Sequence, residues 1–240
     1  EAMERGWHLL TQSVLNCPNP SQDVEAVICA RPALDVRRVS GWGTCQIFHD
    51  IRMVRKAAEQ MLRERERLQG NPNYEHDIAD VVRQTLTDST YYLLKDIAAS
   101  YKSGKMEAFR KQYTTFLGMV ADVDRLVSQI DLFKLDRWTS SARSICDEVE
   151  GTTEADRDWM EWNARTLISV WGPEKCAEQG RLHDYSSRQW GGMLGDFYLA
   201  RWRMFFQALE EGRSITSAEW FRWEENWTHQ KTITKAPKEN

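Results

Sequence analysis

Residues 105–130 read KMEAFRKQYTTFLGMVADVDRLVSQI, and their spacing sets the fold class. Phe109, Tyr113, Phe116, Leu117, Val120, Val123, Val127 and Ile130 recur at steps of three and four. That is the period of a helix with one apolar face, not of a strand. Gly104 separates this helix from an earlier one over 74–102, which opens YEHDIADVVRQ and carries Ile78, Val81, Val82, Leu86, Leu93 and Ile97. A further helix is predicted over 46–69, with Ile47, Ile51, Val54, Ala58, Met61 and Leu62, ending at Gly70-Asn71-Pro72. Residues 2–15 repeat the pattern through Trp7, Leu10, Val14 and Leu15.

Downstream the period continues over 135–149. Thr153 stands three residues before Asp156, and Thr216 three before Glu219, so each pair reads as a helix-opening capping box. Those helices are predicted from Thr153 to about residue 170 and from Thr216 through WFRWEENW, with another over 183–211 between them. No repeated strand alternation interrupts them. The chain is predicted to be all-α, a single helical bundle of about eight helices over 1–234 with a charged tail at 235–240. Residues 16–44 are irregular and hold Pro18, Pro20, Pro32, Gly41 and Gly43. A loop that long in a small domain is expected to be functional or docked on something.

Composition removes several classes of function. The chain has 240 residues and a net charge of −4, so no basic excess suits it to nucleic acid. It holds no apolar run long enough to span a membrane and no signal-peptide pattern. It opens EAMERGWHLL, already inside a helical pattern, which leads us to expect a piece cut from a longer protein. Cys17, Cys29, Cys45, Cys146 and Cys176 form no CxxC and are odd in number, so free thiols are expected, with one disulfide among the first three left open. There is no GxGxxG, no GxxxxGK[ST], no GxSxG, no HExxH and no ExxH, so neither a cofactor nor a metal site is expected. Asp77, Asp80 and Arg83 share one helix face and read as a salt-bridged or docking surface. Eleven tryptophans raise the prospect of a sugar-facing surface, since aromatic rings cover the C–H face of a sugar.

Four ordered segments carry a resemblance: GWHLLTQSVLNC (6–17), YEHDIADVVRQ (74–84), EWNARTLISVWGPE (161–174) and LHDYSSRQWGGMLGDFYLARWRMFFQAL (182–209), with ARPAL (30–34) as a further short match. Together they resemble the C-terminal region of the α-N-acetylglucosaminidases, glycoside hydrolase family 89, up to about residue 227. The resemblance implies an all-α domain following a small N-terminal domain and a catalytic (β/α)₈-like barrel. It implies removal of terminal α-linked N-acetylglucosamine with retention, by two glutamates in the barrel, so no catalytic residue is named here. It implies that the barrel of the same polypeptide and the terminal sugar are the partners of this domain. It also implies an extracytoplasmic location, secreted or periplasmic in a bacterium and lysosomal in animals.

The resemblance places Trp171 and Leu182 at the sugar pocket as substrate-binding candidates, and His183, next in the chain, is a further candidate through a hydrogen bond to the sugar or to a barrel loop. Read without it, Trp171 before Gly172-Pro173 is a corner plug, and His183-Asp184 opens a helix whose free N–H groups Asp184 would accept. Tyr185 and Trp190 are expected to be buried on the barrel side or in the core, Trp202 to be core, and Trp159 with Trp162 to be packing. Asn226-Trp227-Thr228 has the form of a glycosylation acceptor by chance. The alternative function is a non-catalytic helical interaction or scaffold domain.

Overall fold

The computed structural model describes residues 1–18 and 24–231; Pro20 and the charged tail at 235–240 lie outside the described residues. Among the described residues the fold is all-α, with no β-strand beyond two isolated bridges. The helices are α1 Ala2–Gln12, α2 Ile51–Leu62, α3 Arg65–Leu68, α4 Pro72–Lys102, α5 Met106–Val127, α6 Leu135–Ser144, α7 Glu154–Leu167, α8 Ala200–Glu210 and α9 Ser217–Thr228.

The helix starts obey local chemistry. Asn71 accepts from the backbone N–H groups of Asn73 and Tyr74, and Pro72 opens α4 where no N–H is needed. Both capping boxes form: Thr153 with Asp156 before α7, and Thr216 with Glu219 before α9. The predicted 46–69 helix starts later, at Ile51, because Asp50 caps it and His49 is drawn into a buried 2.7 Å contact with Asp88 of α4. Ile47 is therefore not on a helix.

α4 and α5 form an antiparallel hairpin, and the chain from Met193 to Glu210 lies along α5. Its first turns, Leu194–Leu199, are π-wound and run straight into α8. The core lies between these elements. Phe116 meets Trp202 with ring centroids 4.7 Å apart, and Phe206 stacks on Tyr113 at 4.9 Å. Val120, Val123 and Val127 complete the buried face of α5 that the sequence period marked. A smaller cluster of Leu10, Val54, Ala57, Met61 and Val81 joins α1 and α2 to α4. Gly6 permits that contact, since a Cβ there would sit 2.6 Å from the Met61 Cγ.

The irregular 16–44 segment is docked at its centre on the domain's own core. Val27, Ile28, Cys29 and Ala30 are buried in the main core, and Trp202 donates its indole N–H to the Ile28 carbonyl at 3.0 Å. The buried Glu25 carboxylate accepts from the Val39 and Ser40 amides and so folds the segment against itself. Trp42 is left standing outward. All five cysteines are free, which closes the disulfide alternative.

The predicted 183–211 helix also begins late, at Met193; residues 183–186 are a turn and 187–190 are irregular. Asp124 of α5 supplies the start: its Oδ1 accepts from the Gly192 and Gly195 amides at 2.8 and 3.0 Å. A Cβ on Gly195 would fall 2.8 Å from that carboxylate, so glycine is needed for the approach. Asp124→Ala should lower stability by about 1–2 kcal/mol, as loss of a helix cap does, read as a shift in the urea midpoint with an unchanged slope.

Candidate functional site

The segment between α7 and the 193–210 helix carries the candidate residues. α7 ends because the Thr166 carbonyl takes a hydrogen bond from the Trp171 amide at 2.7 Å, after which Trp171 turns to φ 67°. Pro173 then accepts from the Cys176 and Ala177 amides, winding Lys175–Gln179 into one π turn. Arg181, Asp184 and Ser187 follow at φ 54°, 57° and 48°. Among the described residues, every non-glycine residue with left-handed backbone lies in this one stretch, 171–187. Each such residue costs about 1–2 kcal/mol, least for Asp and most for bulky side chains. Something must hold the segment in that shape.

A buried ladder of alternating charges holds it. Arg201, fully enclosed in α8, donates through Nη1 and Nη2 to both oxygens of Asp184 at 2.9 and 3.1 Å. Its Nη1 also reaches Glu224 of α9 at 2.6 Å, and its Nη2 reaches the Cys29 carbonyl at 2.9 Å. Glu224 in turn accepts from Arg31 Nη2 at 2.7 Å and Nε at 3.1 Å. Arg31 closes the ladder with a fork onto Glu178 at 2.8 and 2.9 Å. The order is Glu178, Arg31, Glu224, Arg201, Asp184, with His183 Nδ1 3.2 Å from Asp184 at the outer end.

The local chemistry follows from these contacts. Burial alone would raise the Asp184 carboxyl, but Arg201 and His183 outweigh it and hold it below the usual carboxylate range. Burial would likewise depress Arg201, and Asp184 and Glu224 reverse that. The neighbouring Cys29 thiol is pushed up to about 12, chiefly by burial, so it stays protonated and unreactive.

The exposed residues of the segment lie between and beside the ladder's two attachment points, Glu178 and Asp184. Trp171 is 37% exposed, and its ring meets Tyr185 edge-on with centroids 4.9 Å apart. Phe205 and Trp162 do not enclose it: Phe205 packs on Trp202 and Phe206, while Trp162 stacks on His229. The corner-plug reading of Trp171 therefore does not describe this ring. Leu182 and His183 are half-buried on the same segment.

One reading of a neighbouring residue is corrected and another is narrowed. Asp184 caps no helix but lies fully buried against Arg201. Tyr185 is 45% exposed, so of the two places expected for it the core of this domain is ruled out. Trp190 is half-buried beside Trp138 at 5.8 Å, and Trp202 is core as expected. Asp80 pairs with Arg83 at 2.6 Å, the salt-bridged face read from the sequence.

With this geometry in place, comparison with known proteins is direct. Residues 1–240 match the family described as "Alpha-N-acetylglucosaminidase (NAGLU) C-terminal domain". The chain belongs to this family. It is 26% identical over 214 residues to human alpha-N-acetylglucosaminidase, covering 85% of this chain and 25% of that protein. Its fold matches a family 89 glycoside hydrolase from Clostridium perfringens, solved in complex with 2-acetamido-1,2-dideoxynojirmycin, with a TM-score of 0.91. Identity there is 27%, over 98% of this chain and 27% of that one. A double glutamate-to-glutamine variant of the bacterial enzyme, in complex with its substrate GlcNAc-alpha-1,4-galactose, matches with the same TM-score, identity and coverage. The family domain thus spans about a quarter of the length of these relatives.

The ladder itself was missed in the sequence. Its signal was charge inside apolar helical runs: Arg201 in FYLARWRMFF and Glu224 in WFRWEENW. Because the Asp184 carboxyl is lowered in the folded state, its contribution is complete above its unfolded pKa and is lost as pH falls through the folded value. Asp184→Asn should cost about 3–5 kcal/mol at pH 7, as breaking a buried pair does. Denaturant midpoints of the two proteins should begin to approach each other only below about pH 4, where the unfolded carboxyl protonates, and should meet only once the native carboxyl protonates as well.

Proposed function

We propose that this family domain belongs to a retaining exo-α-N-acetylglucosaminidase, packs on a catalytic barrel supplied by the rest of the polypeptide, and closes one side of the pocket for terminal α-linked N-acetylglucosamine. The observation that carries the reading is Trp171. A tryptophan occupies a left-handed backbone position that glycine would fill at no steric cost, and its ring stands open to solvent against Tyr185. Strain accepted for a side chain that is not filling the core points to a use for that side chain. A flat indole beside a phenol ring suits the C–H face of a pyranose. Leu182 and His183, half-buried just ahead of Tyr185 on the same segment, would supply an apolar edge and a hydrogen-bonding group.

The substrate complex of the bacterial relative supports this sugar class. Both carboxylates of the reaction belong to the barrel under this reading, so the domain contributes shape and binding, not proton transfer or nucleophilic attack. No helix among the described residues is long and apolar enough to cross a membrane. The working location we propose is extracytoplasmic.

Two outcomes test the proposal. The purified chain alone should not turn over an aryl α-N-acetylglucosaminide above a mock-purified control; turnover would place the catalytic groups here and overturn it. In the full-length enzyme, Trp171→Ala should lower kcat/KM severalfold to about tenfold, the effect of losing about 1 kcal/mol or more of ring contact. Its thermal melt should barely move, whereas truncating a core tryptophan costs about 3–5 kcal/mol. A large fall in melting temperature with kcat/KM unchanged would return Trp171 to a packing role.

A further inference from the structure

The ladder has an arrangement that its stability alone does not require. Its two end carboxylates, Glu178 and Asp184, both belong to the strained 171–187 segment. Its three interior members, Arg31, Glu224 and Arg201, belong to the scaffold: the buried 27–31 strap, α9 and α8. The segment is thus gripped at two points by one rigid charged spine. Asp184 is fully buried, and it is tied again by its amide to the Ser169 carbonyl at 2.7 Å. Glu178 is different: its side chain is 20% exposed and lies at the open end of the ladder.

The chain between Glu178 and Trp171 is short and stiff. Pro173 fixes its own φ, and its carbonyl binds the Cys176 and Ala177 amides, so 173–179 moves as one body. Gly172 alone separates that body from Trp171. Two contacts attach the body to the scaffold. One is apolar, where Ala177 meets Val170 and Phe221. A methyl contact holds distance but leaves rotation free, because dispersion is non-directional. The other is the planar fork of Arg31 on Glu178, which fixes direction as well as distance.

We infer that the Arg31–Glu178 pair is a positioning clamp that sets the attitude of the Trp171 ring toward the substrate. It rests on the reading that Trp171 meets the sugar. Arg31 and Glu178 are positioning residues and touch no reacting atom in this account. A ring that covers the sugar in both ground and transition states changes KM more than kcat. The clamp therefore tunes how well the terminal sugar is held.

The test uses the full-length enzyme and an aryl α-N-acetylglucosaminide. Glu178→Gln keeps the side-chain shape, and Arg31 keeps Glu224 as a partner. It should raise KM about threefold to tenfold and change kcat by less than about twofold. In a Trp171→Ala background the same change should shift KM by less than about twofold, because the ring it positions is gone. Arg31→Lys keeps the charge but loses the fork, and should raise KM in the same way; it covers the case in which Glu178→Gln does not fold. If Trp171→Ala raises KM while Glu178→Gln and Arg31→Lys leave it unchanged, or if their effects persist undiminished without the ring, the clamp is wrong and the pocket reading stands. If Trp171→Ala changes nothing, the pocket reading fails and the clamp falls with it.

Discussion

The structure depends on one buried guanidinium. Arg201 sits in the middle of an apolar helix with no exposure to solvent, and it has to be neutralised where it stands. Asp184 and Glu224 do so while the Cys29 carbonyl accepts a further hydrogen bond, and each of the three comes from a different part of the chain. Desolvating an ion costs several kcal/mol, and the mutual attraction of a buried pair does no more than roughly repay it. The ladder is thus better understood as a device for fixing geometry than as a source of stability. Hydrophobic packing around Phe116, Trp202 and Phe206 supplies the stability.

What the geometry fixes is a segment that would not choose its own shape. Left-handed φ at Trp171, Arg181, Asp184 and Ser187 is unfavourable for each, and no helix or sheet ladder enforces it. The charges hold it, together with the Trp171 and Asp184 amides, which bond the Thr166 and Ser169 carbonyls. The family's common fold supplies the scaffold, and the strain it supports is concentrated beside the only residues we assign to substrate. Backbone strain gathers at binding sites because a packed core can hold it there.

The helical bundle was legible from the sequence because its causes are local. The three-and-four spacing over 109–127 names the residues that line the core, and Thr153 and Thr216 cap helices where their neighbours say they should. The candidate site was legible only in part. Trp171 could be picked out by its break and by the family resemblance, but LHDYSSRQW reads as a helix start. It is not one, because Asp184 is taken by an arginine 17 residues away and the true start is capped by Asp124 from α5. Neither partner is visible in a local window. The same holds for 27–30, which a loop-like composition hid from view although it is core. The tryptophan count was a poor guide by itself: Trp202 and Trp227 are fully buried, and only position matters for Trp171.

The central claim is that the ion ladder makes the strained segment as rigid as the core. Backbone hydrogen exchange tests it most directly, on peptides spanning 168–187 in the full-length enzyme. The amides of Trp171 and Asp184, bonded to the Thr166 and Ser169 carbonyls at 2.7 Å each, should exchange only through global unfolding. Their rates should then fall within about tenfold of those in the middle of α5. Exchange at the pace of an exposed loop would contradict the account, because it would mean that the segment samples other shapes and that nothing in the structure holds Trp171 in place.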